Sequence, residues 1–198
     1  GAGEATEGTE PTDGGTAAGG GGGEDVEALR SAGTVRVGTK FDQPLFGLKG
    51  VSGKVEGFDV EIAKMIAAEL GIAESGVEFV ESISKNREDF IINGTVDFIV
   101  ATYTINDDRK QKVAFAGPYY VAGQDIMVKK DNTTIKGVED LNGKKVCSVT
   151  GSTSIKNVVE KAPQADISTS FDKYSLCAEA LADGRVQAVT TDDIILLG

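Results

Sequence analysis

The hydrophobic positions of this chain follow two patterns: short runs rich in β-branched residues, and longer segments with helical spacing. In the first half, the short runs predict buried strands at 35–38, 77–80 and 96–100. Helical spacing between them predicts helices at 58–70 and 86–92. Strand, helix, strand, helix, strand is the order typical of a parallel sheet covered by helices.

The helix predicted at 58–70 has the clearest periodicity. Its large apolar side chains recur at helical spacing and predict one buried face, made of Phe58, Ile62, Met65, Ile66 and Leu70. Gly71 follows, and glycine is the residue that most often occupies the left-handed position at a helix end. We therefore expect this face to pack against the sheet.

The same order resumes after a long extended segment at 119–130. The second half predicts strands at 145–149, 166–170 and 186–190, and helices at 154–161, 174–181 and from Asp193 onward. The economical interpretation is an α/β fold of two lobes, each a sheet flanked by helices. We assign 24–120 to the first lobe, 121–130 to a hinge or crossing strand, and 131–198 to the second lobe.

The N-terminal segment differs in composition from the rest. Residues 1–25 carry six acidic side chains, no lysine or arginine, and a glycine run at 19–23. Such a segment cannot bury enough apolar surface to offset the entropy lost on ordering. Residues 1–23 are therefore predicted to be a disordered, glycine-rich acidic tether.

Overall charge and composition exclude several classes of function. The 31 acidic and 20 basic residues give a formal charge of -11, which argues against a nucleic-acid partner. The chain has no histidine, the usual acid or base at neutral pH and the commonest metal ligand. We therefore assign no catalytic residue, no metal ligand and no cofactor.

The segment 101–120 carries the most informative chemistry. Thr102 and Thr104 follow the predicted strand at 96–100, and Arg109 lies at an apparent helix start. A guanidinium matches a carboxylate with two parallel hydrogen bonds, and threonine hydroxyls can donate to the same oxygens. This predicts a site for a small carboxylate. The alternative is a surface arginine on a solvated turn.

Other polar residues follow strands of the second half. Ser152 and Thr153 lie in a turn after the strand at 145–149, where free backbone amides can also meet a carboxylate. This turn lacks the lysine and spacing of a nucleotide-binding P-loop. Asp192 follows the strand at 186–190. Sites in such lobes lie at the carboxyl ends of their strands, so we expect these groups to face a common cleft.

Two blocks of sequence resemble a known family. Residues 57–70, GFDVEIAKMIAAEL, resemble the signature segment of the bacterial extracellular solute-binding proteins that serve ABC importers of polar amino acids. Residues 104–109 and the Gly-Pro-Tyr-Tyr at 117–120 are similar to that family's next block. The resemblance covers 24–198. It implies a type II periplasmic-binding-protein fold and a monomer that binds an amino acid between its lobes and presents it to a membrane permease.

The resemblance also implies roles for individual residues. Arg109 would bind the ligand α-carboxylate, helped by Thr104 and the backbone near Thr102, and Asp192 would bind the α-ammonium. Two alternatives stay open for this carboxylate: Asp192 caps the following helix, or Asp193 binds the ammonium instead.

The remaining cations indicate an acidic ligand. Ser84 and Arg87 lie in the loop after the second predicted strand, and Lys40 lies in the loop after the first. The block around Arg87 resembles that of family members that take acidic amino acids, which implies a contact with a side-chain carboxylate. Glutamate is the first expectation and aspartate the second. Alternatively, Lys40 and Arg87 pair with neighbouring acidic residues at the surface.

Cys147 and Cys177 are the only cysteines, and both fall in the second lobe. A local disulfide is reasonable, and some glutamate-type relatives resemble this pair; two buried free thiols are the alternative. Export to an oxidising compartment would favour the bond.

The family resemblance leaves other functions and the extent of the chain open. The alternatives are a binder of glutamine or another polar amino acid, a cyclohexadienyl or arogenate dehydratase-like enzyme on the same scaffold, and the sensory domain of a receptor. We expect an extracytoplasmic location with a lipid on a cysteine preceding this chain. Similar proteins continue further to complete the first lobe, so we expect that lobe to be incomplete here.

Overall fold

A computed structural model of the protein describes residues 22–198. Most of the tether predicted at 1–23 lies outside the described residues. Its last two positions belong to a helix, α1 (Gly22–Ala32), which the sequence pattern does not predict. The side chain of Leu29 on this helix packs against the first hydrophobic core.

The first half forms a parallel sheet with helices beside it. The elements in chain order are β1 (Val35–Thr39), β2 (Asp42–Gln43), β3 (Gly47–Lys49), β4 (Val55–Glu56), α2 (Phe58–Glu69), β5 (Val77–Glu81), α3 (Arg87–Ile92), β6 (Phe98–Ile99) and α4 (Asp107–Lys110). The strand order is β5-β1-β6, and both pairings are parallel. Val37 in the central strand lies opposite Phe79 on one side and Phe98 on the other. The predicted βαβαβ order is therefore present, with β6 shorter than its prediction.

Strands β2, β3 and β4 form a small antiparallel sheet that the sequence pattern does not predict. Two of these strands have only two residues, too few to show an alternating pattern. Gly57 lies between this sheet and α2 with φ +135°, and a Cβ added there would meet the Phe46 carbonyl oxygen at 2.3 Å. Glycine is required at position 57 because the backbone between β2 and β3 approaches it so closely.

Helix α2 is present, but the prediction of its buried face is wrong. Its buried residues are Asp59, Val60, Ala63 and Ala67, whereas Met65 is 64% exposed. Small alanine side chains allow the helix to lie close to β1, so the alanine side, not the side with the largest apolar residues, faces the sheet. Ile62 and Leu70 still reach the edge of this core.

The second half forms a mixed sheet. Its elements are β7 (Gln124–Met127), β8 (Val146–Cys147), α5 (Thr153–Lys161), α6 (Tyr174–Ala182), β9 (Ala188–Asp192) and α7 (Asp193–Leu196). Strand β9 is central, antiparallel to β7 and parallel to β8. The extended segment predicted at 119–130 contains β7, which thus pairs within the second sheet.

The strand predicted at 166–170 does not form. Only two isolated bridges remain there, Lys145 with Asp166 and Val149 with Phe171. The side chain of Asp166 accepts a hydrogen bond from the backbone N–H of Ser168, a local turn that competes with strand pairing. Among residues 22–198, no helix is both long and apolar enough to cross a lipid bilayer.

Candidate functional site

A small polar cleft lies where the carboxyl ends of the two sheets face each other. The structure brings nearly all of the predicted site residues to its walls: Ser84, Arg87, Thr102, Thr104, Arg109, Ser152, Thr153 and Asp192. Lys40 is the exception. Residues from both lobes therefore line one small space, as expected for strands that end at a common edge.

Arg109 lies at the junction of the lobes and is 7% exposed. Helix α4 holds it, because Asn106 caps this helix by accepting a hydrogen bond from the Arg109 backbone N–H at 2.9 Å. Its guanidinium donates to the Thr104 carbonyl oxygen at 2.9 Å and to the Gly151 carbonyl oxygen at 3.3 Å. These bonds leave part of the guanidinium's donor set for a ligand.

Arg87 is the first residue of α3 and is 3% exposed. Within the described residues, no carboxylate forms an ion pair with Arg87, and its Nε is buried without a hydrogen-bond partner. Burial and the nearby charge of Arg109 lower the pKa of the Arg87 guanidinium to about 10. The side chain therefore stays protonated at neutral pH as a buried cation, which is costly without an anion to pair with.

The loop at Thr102 has an unusual backbone. Thr102 has φ +47°, in the left-handed region. Its backbone N–H donates to Asp59 Oδ2 at 2.6 Å, and Asp59 Oδ1 accepts from the Tyr119 hydroxyl at 2.9 Å. Burial raises the pKa of Asp59, although both hydrogen bonds oppose this rise. Asp59, which lies on α2, thus holds the Thr102 loop of the cleft in place. Reasoning from the sequence missed this role.

Hydroxyl groups from the two lobes meet across the cleft. The Thr104 and Thr153 hydroxyl oxygens lie 3.3 Å apart. Ser152 caps α5, since its Oγ accepts a hydrogen bond from the Ile155 backbone N–H at 3.2 Å. The Ser152 hydroxyl is therefore used mainly in the fold, whereas Thr104 and Thr153 both present hydroxyls to the space between the lobes.

Asp192 ends β9 and stands before α7, but its side chain makes no capping hydrogen bond to this helix. Burial, with the neighbouring charge of Asp193, raises the pKa of Asp192. Asp193 Oδ1 instead accepts a hydrogen bond from the Ile194 backbone N–H at 2.7 Å. Of the two aspartates, Asp192 is the one that lines the cleft.

Lys40 does not reach this space. It is 1% exposed, and its Nζ lies 2.9 Å from Asp42 Oδ1. This is the pairing that the sequence left open as an alternative, except that the pair is buried rather than at the surface. Ser84, by contrast, lines the cleft and is 5% exposed.

The cleft also has wall residues that reasoning from the sequence missed: Gln43, Ser154, Tyr174, Thr191 and Ile195. Gln43 Oε1 accepts a hydrogen bond from the Thr102 hydroxyl at 2.9 Å. Ser154 and Thr191 are neighbours of predicted residues, so the strand ends alone could have indicated them. Within residues 22–198, no group of acidic or cysteine side chains is arranged to hold a metal ion.

Sequence comparison identifies the family. The sequence profile of the bacterial extracellular solute-binding proteins, family 3, matches residues 35–192. The chain belongs to this family. The resemblance found in the sequence is thereby confirmed.

Individual members of the solute-binding protein family are also similar. The chain is 42% identical over 182 residues to the glutamate-binding protein GluB of Corynebacterium glutamicum, covering 89% of this chain and 61% of that protein. It is 44% identical over 177 residues to the ABC transporter glutamine-binding protein GlnH of Bacillus subtilis, covering 88% of this chain and 64% of that protein. The chain thus spans less than two thirds of the length of either relative.

Solved structures of similar solute-binding proteins confirm the two-lobed α/β fold. An ancestral arginine-binding protein bound to arginine superposes with a TM-score of 0.78 at 42% identity, over 83% of this chain and 72% of that one. The ancestral amino acid-binding protein AncCDT-1, described as a precursor of cyclohexadienyl dehydratase, superposes with a TM-score of 0.80 at 37% identity. The superposition covers 86% of this chain and 74% of that one. The predicted type II fold is confirmed.

Proposed function

We propose that this protein is the extracytoplasmic substrate-binding component of an ABC importer, and that it binds glutamate, or secondarily aspartate, between its two lobes for delivery to a membrane permease. The observation that carries the ligand assignment is Arg87, a buried guanidinium without an ion-pair partner among the described residues. A side-chain carboxylate supplies the missing anion.

The α-amino-acid part of the ligand is assigned to three residues. Arg109 and Thr104 bind the α-carboxylate, because both lie on the cleft and offer donors to it. Asp192 receives the α-ammonium from the opposite lobe, where its carboxylate is free of capping bonds. This division places opposite charges of the ligand against opposite charges of the protein.

Closure of the two lobes on the ligand is the proposed mechanism. Three ion pairs join the two lobes: Lys85–Asp172 at 2.8 Å, Lys156–Asp108 at 2.6 Å and Lys173–Glu81 at 2.6 Å. All three pairs are exposed to solvent to a large extent, so each contributes little to the stability of the closed form. The ligand, bound by both lobes at once, supplies the remaining free energy that favours the closed form.

Glutamine is the second candidate ligand. The specific observation in its favour is the 44% identity to a glutamine-binding protein, as high as the identity to the glutamate-binding protein. A glutamine amide would still meet Arg87, but it would leave the cation unneutralised. Glutamate is therefore preferred.

We also propose that a lipid on a cysteine preceding this chain anchors the protein at the cell surface.

Replacing Arg87 with methionine tests the ligand assignment. We expect glutamate affinity to fall about 30-fold or more, and glutamine affinity to change about threefold or less, because only glutamate places a carboxylate against this cation. Isothermal titration calorimetry of the complete chain with glutamate, aspartate, glutamine and arginine measures both effects. The matched control is Arg185→Met, which removes an exposed arginine outside the cleft.

Two outcomes would contradict the proposal in different ways. If the unmodified protein bound neither glutamate nor glutamine, the proposed function would be wrong. If Arg87→Met bound glutamate as tightly as the unmodified protein while Arg109→Ala did not bind it, the acidic-ligand assignment alone would be wrong.

The charge of Asp192 predicts a pH dependence. Only the ionised carboxylate attracts the ligand ammonium, and the pKa of Asp192 is raised by burial. Glutamate affinity is therefore expected to fall as pH is lowered, beginning above the pH at which an ordinary aspartate titrates and approaching about tenfold per pH unit below that pKa. Calorimetry between about pH 7.5 and pH 5 covers a range in which the glutamate side chain stays mostly ionised. Asp192→Asn is expected to bind more weakly with a flatter profile; equal slopes in the two proteins would contradict the role of Asp192.

A further inference from the structure

One aromatic ring contacts both arginines of the cleft. The Arg109 Cζ lies 4.6 Å from the centroid of the Tyr103 ring, and the Arg87 Cζ lies 5.0 Å from the same centroid. Both guanidiniums are buried, so the negative face of an aromatic ring attracts them more strongly than it would in water. Tyr103 does not itself line the small cleft between the lobes.

Holding these two cations together requires compensation. Glu88 approaches the Arg109 Nε at 3.7 Å, but no described carboxylate forms an ion pair with Arg87. Like charges at short range repel, and the low exposure of both side chains weakens screening by water. Within the described residues, Tyr103 is the one aromatic residue whose ring lies against both guanidiniums.

The ring is itself held in a fixed position. Its centroid lies 5.0 Å from that of Phe115, and the backbone of the preceding residue, Thr102, is fixed through Asp59. The Tyr103 hydroxyl is buried, and this burial together with the neighbouring Glu88 carboxylate raises the pKa of Tyr103. The face of the ring is the part of this tyrosine that both guanidiniums approach.

We propose that Tyr103 is a specificity-determining positioning residue, whose ring holds the guanidiniums of Arg87 and Arg109 in place for the two carboxylates of an acidic amino acid. This inference rests on the proposed function. A dicarboxylic ligand neutralises both cations, whereas a neutral amino acid neutralises only Arg109 through its α-carboxylate. Loss of the ring should therefore weaken glutamate binding more than glutamine binding.

Variants at Tyr103 separate the ring from the hydroxyl. Tyr103→Phe keeps the ring, and we expect its affinity for either ligand to stay within about twofold of that of the unmodified protein. Tyr103→Leu removes the ring, and we expect glutamate affinity to fall about tenfold and glutamine affinity about threefold or less. Calorimetry measures the affinities, and circular dichroism melting checks that each variant is folded.

A double-mutant cycle distinguishes positioning from a general structural role. In the Arg87→Met background, Tyr103→Leu should no longer alter the ratio of glutamate to glutamine affinity, because the cation through which it acts is gone. The proposal would be overturned if Tyr103→Leu changed the ratio of glutamate to glutamine affinity as much in the Arg87→Met protein as in the unmodified protein. Equal losses for glutamate and glutamine in Tyr103→Leu alone would overturn it as well.

A second measurement keeps the shape of the ring constant. Phenylalanine with one, two or three fluorine atoms is incorporated at position 103, which weakens the negative face of the ring without changing its packing. Glutamate affinity is expected to fall stepwise with each fluorine, and a flat series would overturn the proposal even if Tyr103→Leu failed to fold. If the unmodified protein binds neither ligand, the proposed function fails; if it binds glutamate and the ring variants match it, only the role of Tyr103 fails.

Discussion

Replacing Arg109 with alanine is expected to weaken the binding of glutamate and glutamine alike by about 1000-fold, roughly 4 kcal/mol. Both ligands carry an α-carboxylate, and Arg109 is the cation assigned to it. The substitution also leaves the bound α-carboxylate buried without its partner, which adds to the loss. Calorimetry measures the loss, and its equal size for the two ligands separates this role from that of Arg87.

Arg109→Lys is the matched variant for this prediction. It keeps the positive charge but loses the planar pair of donors, so we expect an intermediate loss of about 100-fold. Arg109 also donates to the Thr104 and Gly151 carbonyl oxygens, so melting temperatures are recorded for both variants. A folded Arg109→Ala protein that still bound glutamate within about tenfold of the unmodified protein would contradict the assignment.

In the proposed function, Arg109 also couples ligand binding to closure of the lobes. Thr104 belongs to the first lobe and Gly151 to the second, and the Arg109 guanidinium donates to both. Gly151 has φ +80°, and a Cβ added there would come within 2.9 Å of the Lys85 Cα. The lobes therefore approach so closely at this point that only glycine fits. In the proposed function, a ligand on Arg109 therefore sits beside a close contact between the lobes.

Much of the fold could be predicted from local pattern. Strands β1 and β5 and helices α2, α3, α5 and α6 lie close to their predicted positions, because their periodicity extends over a full element. The two-residue strands β2 and β4 are too short to show a periodic pattern. Whether the segment at Asp166 pairs as a strand depends on its partner in the sheet, which a local pattern does not reveal. The buried face of α2 was missed because the depth of packing depends on the small side chains of Ala63 and Ala67.

The site could be predicted as far as strand ends reveal it. Thr104 and Arg109 come after β6 and Asp192 ends β9, and the carboxyl ends of these strands, in two different sheets, face one cleft. Lys40 also follows a strand, but its side chain turns to Asp42, and the direction of one side chain in a loop has no signal in the sequence. Asp59 contacts Thr102 across 43 positions of sequence, so only the folded structure reveals it.

The structure joins Cys147 and Cys177 in a disulfide, which the sequence had left open beside two free thiols. Cys147 lies on β8 and Cys177 on α6, and both are fully buried. They belong to one hydrophobic cluster with Ala180, Leu181 and Val189. Since β8 pairs with β9, the bond ties α6 to the sheet that carries Asp192 at its edge.

Reducing this disulfide is expected to lower the free energy of unfolding by about 3–4 kcal/mol, because the bond closes a loop of 30 residues and restricts the unfolded chain. Urea unfolding with and without dithiothreitol measures the change in the free energy of unfolding, and the amino-acid sequence is the same in both measurements. The control is the Cys147→Ala, Cys177→Ala double variant, whose unfolding should not respond to dithiothreitol. Because neither cysteine lines the cleft, glutamate affinity of the folded reduced protein should stay within about threefold of that of the oxidised form. Free thiols detected in the denatured, unreduced protein would contradict the bond, and an unchanged unfolding midpoint on reduction would contradict its stabilising effect.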